Sequence, residues 1–352
     1  MALVHPLPKV NQPDEFKDLR PISILPTLSK VIEKIMSFQI IAHLSDLLPP
    51  TQSGFRTGYS CPSALTNIVD DIVLAVDNNK LTALVMLDYS KAFDKINHKV
   101  LISITHYLGF GSNAMNLLKS YLEQRIQRVT LANASFDSCV IGSGVPQGFI
   151  LGPLLFSIYI SELATSVKFC NIHFYADDTQ IYYSFHPKDI DTANANINSD
   201  LNNLIELSDK HPLSINPIQS SLILFGNAQI CDTITYRIKI NINNVSLPVN
   251  IEAKNLGVTL DAHLKFKMHV NSLIQKAYTK LKYLFFNRFV LSNKSRVMLC
   301  EALVLSQFNY CDVVYGPCLE QKDRLRIQRV QNSCLKFIYG KRERDLQQVN
   351  NF

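Results

Sequence analysis

Three carboxylates in this sequence are spaced so that folding could bring them together. Asp177 and Asp178 are adjacent and lie between two apolar, β-prone segments, residues 172–175 and 181–183. That pattern predicts a tight β-hairpin with both acids at its tip. An isolated Asp-Asp pair is commonly a solvated turn, so a functional role for this pair depends on which other residues lie beside it in the fold.

Asp88 is the third acid. It directly follows residues 81–87, a continuous apolar segment that predicts a buried central strand. If this strand lies beside the hairpin, Asp88 approaches Asp177 and Asp178, and the three charges repel unless a cation lies among them. Carboxylate oxygens favour Mg²⁺. Two such ions about 4 Å apart support in-line nucleotidyl transfer, in which a 3′-hydroxyl attacks and pyrophosphate leaves.

Several elements are needed to position these acids. Apolar residues at helical spacing predict helices at 27–47, 62–77, 99–107, 113–124, 154–163, 190–207, 270–286, 294–306 and 321–338. Apolar and alternating segments predict strands within 129–140 and at 213–215, 221–225, 236–242 and 245–251. The proline-containing start, residues 6–23, is expected to be extended. A glycine-rich loop at 142–148 precedes the apolar helix.

Composition indicates a folded globular protein. The chain has 352 residues, 47% of them hydrophobic and 18% charged, which suffices for one large domain or two and excludes a disordered chain. Its eight cysteines form no CxxC pair, which favours reduced thiols over a zinc site. Residues 1–10 lack the apolar core of a secretory signal, and the apolar segment at 149–160 is too short to span a bilayer. We therefore expect an intracellular protein, nuclear or cytoplasmic, that is not associated with a membrane.

Charge is distributed unevenly along the chain. Residues 1–261 carry 19 Lys and Arg against 23 Asp and Glu, whereas residues 262–352 carry 16 against 6. A basic region joined to a mildly acidic body suggests a polyanion held near an acidic, metal-binding site. A solvated basic helical surface explains the charge alone equally well. The change in composition near residue 261 predicts a domain boundary there.

The residues that carry the chemistry resemble a known family. Segments 87–94 (LDYSKAFD), 144–148 (GVPQG) and 175–178 (YADD) resemble the successive palm motifs of reverse transcriptases. Together with 19–23 (LRPIS) and 52–56 (QSGFR), they resemble the polymerases of non-LTR (LINE, jockey-like) retrotransposons. Each motif alone is of limited specificity, but the five in family order make the resemblance specific.

The resemblance implies an α+β fold with the architecture of a right-hand polymerase. Residues 1–261 would form partial fingers and a palm, in which an antiparallel sheet is backed by helices. Residues 262–352 would form a basic, helical, thumb-like region that grips a nucleic-acid duplex through its phosphates. Binding of this kind is independent of sequence and sensitive to salt.

The resemblance also assigns the acids. Asp88 and Asp177 would be the catalytic, metal-binding carboxylates, with the Tyr89 carbonyl as a further ligand and Asp178 as a supporting catalytic acid and ligand. The implied cofactor is a pair of Mg²⁺ ions, for which Mn²⁺ can substitute. No small-molecule cofactor is implied.

Nucleotide contacts follow in the same way. Lys9 and Arg20 would hold the triphosphate, since a point charge and a planar fork both suit phosphate oxygens. Phe93 would occupy the position where an aromatic ring excludes a ribose 2′-hydroxyl and so selects deoxynucleotides. Gln147 would contact the incoming nucleotide and the template, and Gly148 would let the backbone approach the nucleic acid.

The implied partners are an RNA template, a DNA primer or duplex, and dNTPs. Arg56 would contact the template backbone. No endonuclease precedes the motifs, so such a domain would belong to a longer parent protein.

Three departures from the family pattern indicate a fragment or a degenerate copy. Gln219 stands where the family usually has a lysine that can protonate pyrophosphate, which an amide cannot do. Leu207 and Pro212 stand where tryptophan and glycine are expected. The sequence therefore predicts an RNA-directed DNA polymerase, a nucleotidyltransferase, with one alternative: a non-catalytic, nucleic-acid-binding remnant of such an element.

Overall fold

The computed structural model describes residues 2–45, 47–131 and 134–340. This description leaves out residues 1, 46, 132 and 133 of the predicted region 1–261. It also leaves out residues 341–352 of the predicted region 262–352. The strands are β1 Ala2–Pro8, β2 Leu19–Ile24, β3 Leu81–Leu87, β4 Arg125–Leu131, β5 Ala134–Ser135, β6 Cys139–Ile141, β7 Asn171–Tyr175, β8 Asp178–Phe185, β9 Ser221–Phe225, β10 Asn241–Ile242, β11 Val245–Ser246, β12 Val249–Asn250, β13 Glu252–Asn255 and β14 Val258–Asp261.

Helices occur throughout the described chain and dominate its last third. They are α1 Thr27–Leu44, α2 Cys61–Asp77, α3 His98–Tyr107, α4 Ser112–Leu122, α5 Leu151–Ser161, α6 Ile190–Lys210, α7 Ala228–Ile234, α8 Lys267–Phe286, α9 Asn293–Leu299, α10 Ser306–Asn309, α11 Asp312–Tyr315 and α12 Gln321–Tyr339. A π-helical segment, Cys300–Leu305, joins α9 to α10. Short 3₁₀ segments include Ala92–Lys95, which follows the Asp88 motif.

A central sheet with the order β12-β9-β3-β8-β7 carries the three acids. Its pairings are antiparallel except that between β12 and β9. Strand β3 lies in the middle and pairs with β8 from Leu81 opposite Phe185 to Leu87 opposite Thr179. The carboxyl end of β3 therefore meets the start of β8, as the sequence predicted.

Both faces of this sheet are covered, which explains why β3 is largely apolar along its length. Ala83 and Val85 face a core that α5 and α6 complete. Leu84 faces a second core, to which α2, α8 and α12 contribute. Because alternate side chains of a strand point to opposite faces, a strand between two layers of helices favours apolar residues at every position. The polar exception in β3 is Thr82, whose buried hydroxyl lies 2.8 Å from Ser184 Oγ.

A second sheet is built from the start of the chain. Strand β1 pairs antiparallel with β2 and parallel with β4, and β4 pairs in turn with β5 and β6. The proline-containing opening segment is therefore extended, as predicted. Helix α1 follows β2 directly and buries Glu33, Met36, Ile40 and Leu44.

The α+β class is confirmed by these layers, and the helices match their predicted positions closely. Three predicted strands differ. Residues 213–215 form no strand, and only an isolated bridge joins Ile215 to Tyr89. The predicted hairpin of 236–242 and 245–251 shortens to β10 and β11, and β12, within its second strand, pairs with β9 instead. A 3₁₀ turn, Thr235–Arg237, replaces the start of its first strand. Within the described residues, no helix is both long and apolar enough to cross a membrane.

Candidate active site

Asp88 is held at the end of β3 by a short backbone ladder. Asn216 N–H donates to the Asp88 carbonyl at 2.8 Å, and Ser90 N–H donates to the Ser214 carbonyl at 2.9 Å. The Asp88 N–H reaches Ser220 Oγ at 3.4 Å. The segment 214–220 therefore fixes the backbone that carries Asp88, while the carboxylate stays partly exposed.

Asp177 and Asp178 occupy different positions in the hairpin between β7 and β8. Tyr175 pairs with Asp178 across a two-residue turn formed by Ala176 and Asp177. Ala176 has a left-handed φ of 56°. Asp177 is thus at the tip, whereas Asp178 is the first residue of β8. The sequence placed both acids at the tip, and the register corrects this for Asp178.

The turn is supported from behind by the loop that follows α1. Ser53 N–H donates to the Phe174 carbonyl at 2.9 Å, and Phe174 N–H donates to the Thr51 carbonyl at 2.8 Å. Gly54 lies so close to the turn that a Cβ on it would be 2.1 Å from the Ala176 nitrogen. The sequence reasoning quoted the 52–56 motif but gave Gly54 no role. The glycine itself was the available signal, because a close backbone approach requires one.

The three acids influence one another electrostatically. Burial and then the charge of Asp177 raise the pKa of Asp88, and the nearby Lys9 ammonium opposes this rise. The side chain of Asp178 is exposed beside the turn of the hairpin, yet partial desolvation and the charges of Asp177 and Asp88 raise its pKa to about 6. The sheet therefore brings together three mutually repelling carboxylates, and a bound cation would relieve that repulsion.

The glycine-rich loop connects this centre to the N-terminal sheet. Its first half docks on the segment after Asp88, since Gly144 N–H donates to the Ile96 carbonyl at 2.7 Å and Val145 N–H to the Phe93 carbonyl at 2.9 Å. Its second half docks on β2 through Ser23 N–H, which donates to the Gln147 carbonyl at 2.8 Å. The loop thus bridges the two sheets beside the acids.

Gln147 and Phe93 both lie at this junction. The Gln147 side chain hydrogen bonds to Asp94, an acid that sequence reasoning noted but gave no role. Phe93 is half-buried, and its ring stacks on the buried Phe156 with 4.5 Å between centroids. Phe55 contacts the same ring edge-on at 6.5 Å. The Phe93 ring is therefore held between two aromatic side chains.

The two predicted phosphate-binding cations follow the first hairpin of the chain. Lys9 comes directly after β1, and its backbone N–H donates to the Asp18 carbonyl at 2.7 Å. Burial raises the pKa of both Asp88 and Asp94, and the Lys9 ammonium lies close enough to both to oppose that rise. Arg20 lies on β2 opposite Leu7 and is exposed. Of the two cations, Lys9 is the one in electrostatic contact with the acids.

Tyr89, Arg56 and Gly148 have further structural contacts. The Tyr89 side chain is buried, its hydroxyl lies 3.2 Å from Ser208 Oγ, and burial raises its pKa to about 12. Its carbonyl is not an acceptor in the ladder that fixes Asp88. Arg56 donates to the carbonyls of Pro49 and Ser45 at 3.0 and 3.2 Å and so stabilises the end of α1. Gly148 has a φ of 96°, and a Cβ on it would be 2.8 Å from the Ser23 carbonyl oxygen.

Pro212 occupies a position that favours glycine. Leu213 N–H donates to the Ser208 carbonyl at 2.9 Å. This is the bond of a Schellman motif, in which the residue just past the helix is left-handed. Pro212 has a φ of 26°, far from the value near −65° that its ring prefers. The departure noted in the sequence is therefore a site of backbone strain at the end of α6.

Comparison with known proteins identifies this arrangement. Residues 7–260 match the family described as reverse transcriptase (RNA-dependent DNA polymerase). The chain belongs to the reverse transcriptase family. It is 30% identical over 309 residues to the probable RNA-directed DNA polymerase from transposon BS of Drosophila melanogaster, which covers 85% of this chain and 33% of the relative. With that from transposon X-element of the same species, it shares 27% over 352 residues, covering 97% and 38%.

These relatives confirm the predicted kinship with non-LTR retrotransposons, as does the enzyme of mobile element jockey at 26% identity over 342 residues. This reverse transcriptase chain spans about a third of the length of the curated relatives it matches. A solved structure of telomerase from Candida tropicalis, in complex with a TWJ fragment of telomeric RNA, has a TM-score of 0.49 at 13% identity. It covers 96% of this chain and 58% of that one.

Divalent metal ions are the general cofactor of this family. Among the described residues, no three His, Cys, Asp or Glu side chains form a group that could hold a metal ion by themselves. The donors that are present still fit such ions, because Asp88, Asp177 and the Tyr89 carbonyl offer only hard oxygen atoms. Mg²⁺ usually keeps water and substrate phosphate ligands beside one or two carboxylates. A small donor set of mutually repelling acids suits that mode of binding.

Proposed function

We propose that this chain is an RNA-directed DNA polymerase domain that adds dNTPs to the 3′-end of a DNA primer on an RNA template. One observation carries the proposal: the central sheet brings Asp88 beside Asp177 and Asp178 at one edge, in a chain of the reverse transcriptase family. We further propose that residues 1–261 form the fingers and palm, and that residues 262–352 form a thumb-like region.

The acids would serve as the metal-binding and catalytic groups. Asp88 and Asp177 would hold two Mg²⁺ ions, or Mn²⁺ in their place, with help from Asp178 and the Tyr89 carbonyl. Bound there, the ions would supply Lewis-acid activation of the 3′-hydroxyl and neutralisation of the leaving pyrophosphate. Partial burial and the charge of Asp177 raise the pKa of Asp88, and a bound cation would offset both effects.

The surrounding residues would orient the nucleotide. Lys9, which faces Asp88 and Asp94, would hold the triphosphate together with Arg20. Gln147 would contact the base-paired nucleotide from the loop between the sheets. Phe93, held by Phe156, would block a ribose 2′-hydroxyl and so select dNTPs over rNTPs.

Nucleic acid would lie along the basic part of the chain. The predicted thumb-like region carries all of the excess positive charge, since residues 1–261 have more acidic than basic side chains. Phosphate contacts of this kind weaken as salt rises. Arg56 and Gly148 would contact the template backbone, in addition to the structural contacts that each already makes.

A second candidate function is supported by two positions beside the site. Gln219 accepts a hydrogen bond from Asn216 at 2.5 Å where the family usually has an acidic ammonium, and Pro212 strains the preceding turn. A chain altered in this way would bind nucleic acid without turnover. Gln219→Lys is expected to raise the rate of an active chain, because it restores a proton donor for pyrophosphate.

Primer extension separates the two functions. Wild type, Asp177→Asn and Asp232→Asn are each given an RNA template, a labelled DNA primer, dNTPs and Mg²⁺, and binding of the same duplex is measured in parallel. Asp232 is the control, because α7 follows β9 at the opposite end of the sheet from Asp88. We expect extension by wild type and Asp232→Asn and its loss in Asp177→Asn. Equal inactivity of all three with intact binding would instead support the non-catalytic remnant.

A further inference from the structure

Glu33 is a buried acid in α1, outside the groups assigned above. Only 2% of the surface of Glu33 is exposed. Glu33 Oε1 accepts a hydrogen bond from the Tyr121 hydroxyl at 2.9 Å. Oε2 accepts from the backbone N–H groups of Ile150 at 2.8 Å and Leu151 at 3.2 Å. A buried carboxylate is costly unless such bonds compensate it, so this one is fixed in place.

The two backbone donors mark the start of α5. Ile150 is the N-cap of that helix and Leu151 its first residue, and the Ile150 side chain offers no oxygen to cap it. The first N–H groups of a helix have no partner within the helix, and its N-terminus attracts negative charge. Glu33 therefore caps α5 from a distant part of the chain.

The segment immediately before this cap contains Gln147, and this links the cap to the nucleotide-binding residues. Phe149 joins the glycine-rich loop, which ends at Gly148, to the cap of α5 at Ile150, so the cap is three residues from Gln147. Arg125 clamps the same connection, with its guanidinium 4.7 Å from the Tyr121 ring centre and 4.5 Å from that of the buried Phe149. On the other side, Ser23 holds the Gln147 carbonyl.

We propose that Glu33 is a positioning residue for nucleotide binding, acting through the cap of α5 to hold Gln147 where it meets the incoming dNTP. The inference rests on the proposed polymerase function. It explains why a carboxylate, rather than an apolar residue, lies on the buried face of α1. A neutral amide would keep an acceptor for the Ile150 and Leu151 N–H groups and a donor for the Tyr121 hydroxyl, but it would remove the negative charge that strengthens the bonds to the N-terminus of α5.

Glu33→Gln tests this, with Asp200→Asn as a matched control. Asp200 is also fully buried and accepts three backbone N–H bonds, from Lys168, Phe169 and Cys170 at 3.0, 2.8 and 2.8 Å. Both variants remove a buried carboxylate and should lower Tm. Only Glu33→Gln should raise the KM for dNTP, by about 10-fold with kcat within about 3-fold, as expected when charge-assisted bonds that orient a binding group are lost. Hydrogen exchange at residues 147–151 should accelerate in Glu33→Gln alone.

The outcomes distinguish this inference from the function on which it rests. In an active enzyme, an unchanged KM for Glu33→Gln, or an equal rise for Asp200→Asn, overturns the positioning role. If wild type shows no extension, the proposed function fails, and hydrogen exchange decides the inference. Faster exchange confined to residues 147–151 in Glu33→Gln supports Glu33 as the residue that positions Gln147, and unchanged exchange overturns it.

Discussion

The close approach of Gly54 to the Asp177 turn leads to a sharp prediction. A Cβ on Gly54 would be 2.1 Å from the Ala176 nitrogen, 2.9 Å from the Tyr175 carbonyl carbon and 3.0 Å from the Ala176 Cα. Ordinary contact begins near 3.4 Å, so Gly54→Ala must displace one backbone by more than 1 Å. Both backbones are tied by the bonds that join Ser53 and Thr51 to Phe174, so the displacement must pass to Asp177.

The magnitude follows from that displacement. Misplacing a catalytic group by 1 Å can cost about 100-fold in rate, so we expect Gly54→Ala to lower kcat by about two orders of magnitude. The φ of Gly54 lies outside the left-handed region, and the effect therefore comes from contact rather than from backbone conformation. Single-nucleotide incorporation at saturating dNTP measures it, with circular dichroism and duplex affinity confirming that the variant is folded.

Gly111→Ala is the matched control, because a Cβ there meets nothing within 4 Å and its φ is −66°. We expect its rate to stay within about 2-fold of wild type, since surface substitutions of this kind have small effects. If Gly54→Ala is folded and as active as this control, the loop does not support the Asp177 turn and the reasoning is refuted.

Three further predictions concern stability, selectivity and pH. Pro212→Gly should raise the free energy of unfolding by about 1–2 kcal/mol in urea titrations, because glycine relieves the strained φ; no gain would show that the turn is unstrained. Phe156→Leu should weaken discrimination between dNTP and rNTP by about 10-fold, since the ring behind Phe93 is lost. Competing incorporation assays measure the ratio of dNTP to rNTP incorporated, and an unchanged ratio would contradict this role of Phe156. Burial lowers the pKa of His173 and of His269 to about 4. Unfolded imidazoles take up protons near pH 6.5, so stability should fall as pH falls from 6.5 to 4, by up to about 1.4 kcal/mol per pH unit for each histidine. His173→Gln should flatten that slope in Tm measurements, and an unaltered slope would contradict the assignment.

The part of the site that local pattern determines was predictable. Residues 81–87 are apolar at every position except Thr82 and precede Asp88, and β3 occupies those residues. A strand between two helical layers favours such a composition. The sequence raised its place beside the hairpin only as the arrangement that would bring the three acids together, and the pairing of β3 with β8 confirms that arrangement.

The segment after α7 shows where pattern misleads. Residues 236–242 alternate like a strand, and Ile238 and Ile240 are buried. Much of the backbone of this segment bonds to side chains of α6: Asn194 accepts from Lys239 N–H at 3.1 Å, and Asn198 accepts from Asn241 N–H at 2.9 Å. Strand-like bonds remain only at its end, where the Ile240 carbonyl accepts from Leu247 N–H at 2.8 Å and β10 pairs with β11. Burial of every second residue shows which face of a segment is inside. It does not show which groups hydrogen bond to the backbone of that segment.

Long-range backbone contacts were also hidden from the sequence. Gly54 meets Ala176, and Glu33 caps α5, across more than a hundred residues. The local composition of neither segment indicates which distant segment it contacts. The residue type gives the only signal, in one case a glycine that permits close approach and in the other an acid on a buried helix face.

The claim that Asp88 and Asp177 act as one catalytic centre can be tested most directly by a double-mutant cycle. Single-turnover incorporation of one dNTP on an RNA template is measured for Asp88→Asn, Asp177→Asn, the double variant and the Asp232→Asn control. Groups that act as a unit are non-additive. We predict that each single change lowers the rate by at least about 100-fold, that the double variant falls no further, and that the control keeps the wild-type rate. Additive losses, or wild-type rates in either single variant, would contradict a shared metal-dependent site.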